Sequence, residues 1–465
     1  MKSLLAPLII TFSVASASAQ TPATSVPEAR AVDAFLWGVA AVNYDLMLQQ
    51  MLSKTGGKVN QVIYWGRPLD AKNQTLTPNP DALYFMAFFN TKDGPIVLDL
   101  PPGNADASFN GNIVTAWQMP LEDAGLLGYD KGAGGKYLIL PPGYTGAKPE
   151  GYIALQSDTF GGYALIRSSL RSHSELDVAK SIEYGKRVKV YSLAQAKSPP
   201  ATVFTDVKDI VYDSTIRFDA SYFENLDRIV QSEPWLARDR ALIDPLKSLG
   251  IEKGKPFQPS AEMKALLTSA ARKAGAWLKA RYDAGLPPFF SERSRWTVPA
   301  PPDLIKAQQS AYADPNEYPL DTRALVYTYG YIGIKRLGAG QMYLISIRDK
   351  DGQAFDGSKN YRLTVPPNAP VKQYWSITAY DRERHTLIAN MPHASRSSQI
   401  PELQKNPDGS IELFVGPKPP AGKESNWIPT DRARKFELMF RAYGPTNELF
   451  EKTWVLPDVE KLPGR

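Results

Sequence analysis

Apolar residues between Pro27 and Lys54 recur at three- and four-residue spacings: Phe35, Leu36, Val39, Val42, Leu46 and Met47. That period predicts a helix over residues 28–57, stopped by Gly56-Gly57. The texture then changes. Short β-prone runs at 95–100, 136–140, 163–167 and 187–193 are separated by Asp93-Gly94, Pro141-Pro142 and Gly161-Gly162. Strands at such spacing predict an all-β unit, a sandwich or barrel, over residues 58–205. A helical unit is expected over 206–302. Within it Ser260 can cap a helix with the apolar face Met263, Leu266, Leu267, Ala270, Ala274, Trp277 and Leu278. That helix should end before Gly285, and Trp277 is read as core. Beyond the joint Val298-Pro299-Ala300-Pro301-Pro302, β character returns over residues 303–460, with tight turns at Asp351-Gly352, Asp356-Gly357 and Asp408-Gly409. No long repeat or heptad pattern is present, which argues against solenoids and coiled coils. The chain is therefore expected to be mainly β with a helical middle.

The opening stretch MKSLLAPLIITFSVASASAQ has a different character. Lys2 supplies a positive start, Leu4 to Val14 an apolar run, and Ala17-Ser18-Ala19 a small-residue cleavage pattern. We read residues 1–19 as a signal peptide and expect the mature protein, from Gln20, to be periplasmic or secreted. The run is shorter than the roughly 20 residues a membrane span needs, and no later segment has an uninterrupted apolar run of that order. No cysteine follows the cleavage pattern to carry a lipid anchor.

Composition narrows the chemistry. The 465 residues include no cysteine and three histidines. Disulfides, thiolate nucleophiles, thiolate-bound metals and iron–sulfur clusters are excluded. The net charge of +6 is spread along the chain, whereas a nucleic-acid binder concentrates basic charge in one stripe. No G-x-S-x-G, H-E-x-x-H, phosphate-loop or EF-hand pattern occurs, so no nucleotide signature and no metal site is assigned. His385 and His393 lie eight residues apart and His173 far upstream, with nothing in the spacing that favours a triad or a metal.

Two segments are denser in polar and aromatic groups. One runs from Tyr64-Trp65-Gly66-Arg67 to Asn79-Pro80-Asp81-Ala82-Leu83-Tyr84; the other is Gln373 to Asp381. Asn and Asp on a loop can hydrogen-bond a polar ligand while Tyr and Trp form flat walls. The same residues also suit a tight turn and a half-buried strand.

These segments carry a family resemblance. The chain resembles bacterial proteins that pair an N-terminal Domain of Unknown Function 1254 with a C-terminal Domain of Unknown Function 1214. The N-terminal likeness rests on Thr77 to Tyr84, Gly94 to Leu98 and Gly134 to Pro142. The C-terminal likeness rests on Tyr361-Arg362-Leu363, Tyr374 to Thr378, Asn406 to Ser410, Asn426 to Pro429, Arg441 to Pro445, and Trp454. Ala82 stands where the family often has Thr, and Tyr374 where Phe is usual. The resemblance implies an N-terminal β-sandwich, a helical domain and a C-terminal jelly-roll-like β-sandwich, and it implies no activity.

Three functions compete. An exported binding protein would hold a small polar or saccharide-like ligand between its β domains, using Arg67, Asn79, Asp81, Tyr84 and Trp117 from one half and Trp375, Tyr380 and His385 from the other. A hydrolase or lyase would use a carboxylate pair, with Asp81 and Asp381 first in line, provided their surroundings separate the two pKa values. An oligomeric envelope protein would pair aromatic-rich edges between copies. The absence of a thiol, a nucleophile elbow and clustered imidazoles favours binding.

Overall fold

The computed structural model describes residues 25–104, 106–330, 333–336 and 340–463; the leader read in residues 1–19 lies outside them. The first helix, Val26–Gln50, is capped by Ser25, whose hydroxyl accepts from the Glu28 N–H at 3.3 Å. It widens into one π-helical turn, Met51–Thr55, and stops at Gly56 with φ +71°, a conformation glycine adopts without strain. Helices Ser221–Ser232, Ala261–Ala284 and Leu320–Tyr329 pack around it. It is long and apolar enough to cross a membrane, yet most of its surface is buried inside the protein. A helix wrapped on nearly all sides by other elements must be apolar nearly all round.

The N-terminal β region forms two sheets. The larger runs in the order Phe204–Asp206, Gln61–Tyr64, Ala82–Asn90, Gly161–Ser169, Phe109–Thr115, Pro120–Gly125. The smaller orders Lys189–Ser192, Ile96–Leu100, Gly135–Leu140, Ile153–Gln156. Along Ala82–Asn90, Leu83, Phe85, Ala87 and Phe89 share a core with the smaller sheet. Tyr84, Met86 and Phe88 point the other way, into the core built on the first helix. Alternation of side chains thus buries both faces of one strand.

Five helices fill the middle of the chain, from Ser221–Ser232 through Ile243–Lys247, Ala261–Ala284 and Pro302–Gln309 to Leu320–Tyr329. Ser260 caps Ala261–Ala284 as expected, accepting from the Met263 N–H. The expected core role of Trp277 needs correction. It is 37% exposed and stacks under Arg281, 4.8 Å from its ring. The buried row is Leu267, Ala270, Ala271, Ala274, Leu278 and Tyr282. Close approach to the first helix selects small alanines there, and the large ring is left at the rim of the face.

The C-terminal β region again has two sheets: Gln341–Ser346, Phe436–Pro445, Val371–Asp381, Ser395–Ser397, and Trp427–Pro429, Ile411–Gly416, Tyr361–Val365, Glu460–Lys461. Leu438, Phe440, Trp375 and Ile377 meet Leu363, Leu413 and Val415 in the core between them. Met439, Tyr380 and Ile345 belong instead to the core that contains the first helix. One hydrophobic core therefore joins the N-terminal sheet, the helices and the C-terminal sheet.

Candidate functional site

The back-to-back arrangement of the two large sheets places their outward strand positions around a shared interior. From the N-terminal sheet come Tyr84, Met86, Leu165 and Arg167; from the C-terminal sheet come Tyr343, Met439 and Arg441. The loop before Ala82 adds Thr77 and Asn79, and Met47 on the first helix closes one side. These groups enclose a cavity of about 100 Å³.

Asn79 is 1% exposed and organises the boundary. Its side-chain amide donates to the hydroxyls of Tyr374 (2.9 Å) and Tyr443 (3.0 Å). Its carbonyl oxygen accepts from the Asp81 N–H, and its own N–H donates to the Tyr84 hydroxyl at 2.9 Å. The turn chemistry and the inter-sheet bonds are thus made by different atoms of one residue. Tyr443 is in hydrogen-bond contact with Tyr343 at 3.0 Å, extending the chain of hydroxyls. Burial pushes the Tyr343 and Tyr374 phenols upward, so both stay neutral and able to donate.

Arg441 sits at 1% exposure in the middle of a buried strand. Its Nη atoms donate to the Thr77 carbonyl (2.8 Å), the Tyr380 hydroxyl (2.5 Å) and Thr378 Oγ1 (3.0 Å). Tyr380 in turn donates to the Pro78 carbonyl at 2.6 Å. The Asn79 loop is therefore pinned to the C-terminal sheet by a guanidinium and a phenol. Arg167, opposite, is 6% exposed and donates to Asn112 Oδ1 at 2.9 Å. The Tyr84 ring lies 5.5 Å from its guanidinium carbon.

Asp81 is fully buried just behind this loop. Ser395 donates to its Oδ1 at 2.9 Å, His173 Nε2 lies 3.4 Å away, and Oδ2 has no hydrogen-bond partner. Loss of solvation raises its pKa, against the opposing pull of His173, Ser395 and Arg441. Asp381 occupies a different setting. Its Oδ1 accepts from the N–H groups of Glu383 and Arg384, and its Oδ2 is ion-paired with Arg434 at 2.6 Å. Neither carboxylate lines the cavity.

The remaining candidates lie apart from it. Arg67 is on the surface, ion-paired with Asp70 at 2.9 Å and Asp209 at 3.1 Å. Trp117 packs 4.6 Å from Trp37 and beneath Arg323. Trp375 is in the C-terminal core. His385, held at φ +55°, places Nδ1 2.9 Å from Glu437 Oε1, a buried carboxylate also bound by Tyr282. Among the described residues no group of three or more His, Cys, Asp or Glu side chains is placed to hold a metal ion. Sequence reasoning assigned no site role to Arg167, Arg441, Tyr343, Tyr374 or Tyr443. A usable signal existed in a charged residue inside each of two apolar strands, Gly161–Ser169 and Phe436–Pro445.

Comparison with known proteins bears on the family and the fold. Residues 59–191 match the protein of unknown function DUF1254, and residues 340–447 match the protein of unknown function DUF1214. No curated protein matches the chain. The crystal structure of the VPA0106 protein from Vibrio parahaemolyticus is similar, with a TM-score of 0.58 at 16% identity, covering 94% of this chain and all of that one. An uncharacterised protein from Burkholderia cenocepacia aligns over 94% of each chain at 12% identity, with a TM-score of 0.41.

Proposed function

We propose that this chain, which pairs a DUF1254 region with a DUF1214 region, binds a small polar ligand in the cavity between its β units. We read the N-terminal pair of sheets as a β-sandwich and the C-terminal pair as a jelly-roll-like sandwich, with the cavity at their junction. The observation that carries the proposal is that both units supply lining residues to one cavity. Convergent polar groups, among them Asn79, Tyr84, Tyr343, Arg167 and Arg441, share the lining with the apolar Met47, Met86, Leu165 and Met439. That is the composition of a small-molecule site. A cavity of about 150 Å³ holds benzene, so about 100 Å³ is too small for an oligosaccharide. Asp81 and Asp381, in separate surroundings and both outside the cavity, give no support to a paired-carboxylate mechanism.

The test is a thermal-shift panel of small amides, alcohols, acids and monosaccharides on the mature chain and on Met86→Phe, which fills the cavity. A ligand at one hundred times Kd adds about 2.7 kcal/mol of stability. We expect that shift in the natural protein and its loss in Met86→Phe at similar intrinsic stability. A shift unaltered by the filled cavity would place the ligand elsewhere. The Lys2 to Ala19 leader supports export, for which intact mass of the mature protein should show a chain starting at Gln20.

A further inference from the structure

Two buried arginines line this one cavity, Arg167 from the N-terminal sheet and Arg441 from the C-terminal sheet. Among the described residues, neither is ion-paired with a carboxylate, whereas arginines elsewhere in the fold, such as Arg362 and Arg434, are. The nearest acids are committed to other donors. Asp123 stands behind Asn112, whose amide it accepts at 2.9 Å, and it also accepts from the Arg336 N–H. Asp81 feels the Arg441 charge but is bonded to Ser395, and it does not line the cavity.

Arginine stays protonated in proteins, and a buried charge without a counter-charge is costly. Among the described residues, the buried Nε–H of each also finds no hydrogen-bond partner. Arg382, by contrast, is buried with Glu437 and Asp283 beside it. Around the two cations the polar groups are neutral: the Tyr84 and Tyr343 hydroxyls and the Asn79 amide. A ligand offering a positive charge would meet two like charges, and a neutral one would leave them uncompensated. The apolar part of the lining, Met47, Leu69, Met86 and Leu165, asks for carbon.

We infer that the cavity takes a small organic carboxylate, its oxyanion between Arg167 and Arg441 and its hydrocarbon body against the methionine wall. The inference rests on the binding role proposed above and names the ligand class. Arginine suits it, because its planar fork matches carboxylate oxygens. The available volume, about 100 Å³, limits the body to a short chain.

The experiment titrates the mature chain with acetate and propionate, with their uncharged counterparts acetamide and propionamide, and with sulfate and phosphate. We expect an acid to bind at least tenfold more tightly than its amide. Arg167→Gln should abolish most of that difference, and Arg167→Lys should restore part of it. Acids and amides binding equally would overturn the carboxylate assignment and leave the cavity reading intact. Sulfate or phosphate binding as tightly as the acids would overturn the role of the methionine wall. If no compound binds the natural protein, both the inference and the cavity reading fall. Should Arg167→Gln not fold, the acid–amide ratio in the natural protein decides the matter alone.

Discussion

Asp81 shows how one buried group reports on its surroundings. Buried, with one oxygen unbonded among the described residues and a raised pKa, its carboxyl keeps its proton to higher pH in the folded protein. The folded state then holds the proton more tightly than the unfolded chain. The contribution of Asp81 to stability is therefore greatest below the unfolded value near 3.8 and is lost as pH rises through the folded value. Asp81→Asn keeps an oxygen for the Ser395 hydroxyl and removes the titration. Urea unfolding should find the variant equal to the natural protein near pH 3.5 and more stable at pH 7. A variant less stable at pH 7 would mean that His173 and Arg441 hold the ionised form, and the argument would fail. Asn79 and Tyr84 were legible as candidates because Asn-Pro-Asp followed by Tyr is polar chemistry between apolar runs. Arg67 shared that texture but sits in a solvated ion-pair cluster, since a sequence segment does not state which way its residues face.

Strands and helices differ in how much of themselves they reveal. Ala261–Ala284 was readable from its cap, its period and Gly285. The strand Ala82–Asn90 was not, because it is buried on both faces and its alternation of apolar and polar residues disappears. Tyr374 to Asp381 is also buried on both faces, yet it looked like an ordinary half-buried strand because Tyr374, Ser376, Thr378 and Tyr380 put polar groups on one of them. Close packing of this kind predicts where backbone substitutions will hurt. At Gly162, in the central strand Gly161–Ser169, a Cβ would lie 2.3 Å from the Val114 carbonyl oxygen and 2.2 Å from the Phe89 ring. Gly162→Ala should cost about 3 kcal/mol in urea unfolding, since a packed strand cannot shift away. Gly143, at φ +69° with nothing within 4 Å, is the comparison, and Gly143→Ala should cost about 1 kcal/mol. Equal costs would show that the sheet yields where close packing says it should not.

At the scale of the whole molecule, β texture, helical middle and returning β texture suggest three separable units, and the β–helix–β order is what the fold has. Their independence is another matter. The hydrophobic core built on the first helix includes Met86 and Tyr163 from the N-terminal sheet, Leu267 and Ala274 from the helices, and Ile345, Tyr380 and Met439 from the C-terminal sheet. Polar bonds cross the same boundary through Asn79, Tyr380 and Arg441. Pairings of such separation in sequence leave no local trace. If this shared core couples the units, they unfold together. Calorimetry should then give one transition, and Asn79→Ala should lower that whole transition without splitting it. Leaving the Tyr374 and Tyr443 hydroxyls short of a buried donor should cost about 2 kcal/mol. Two resolved transitions, with only one displaced by Asn79→Ala, would instead make the junction a contact between independent domains. A cavity at such a junction could open without unfolding, whereas one inside a cooperative core admits its ligand only through local fluctuation.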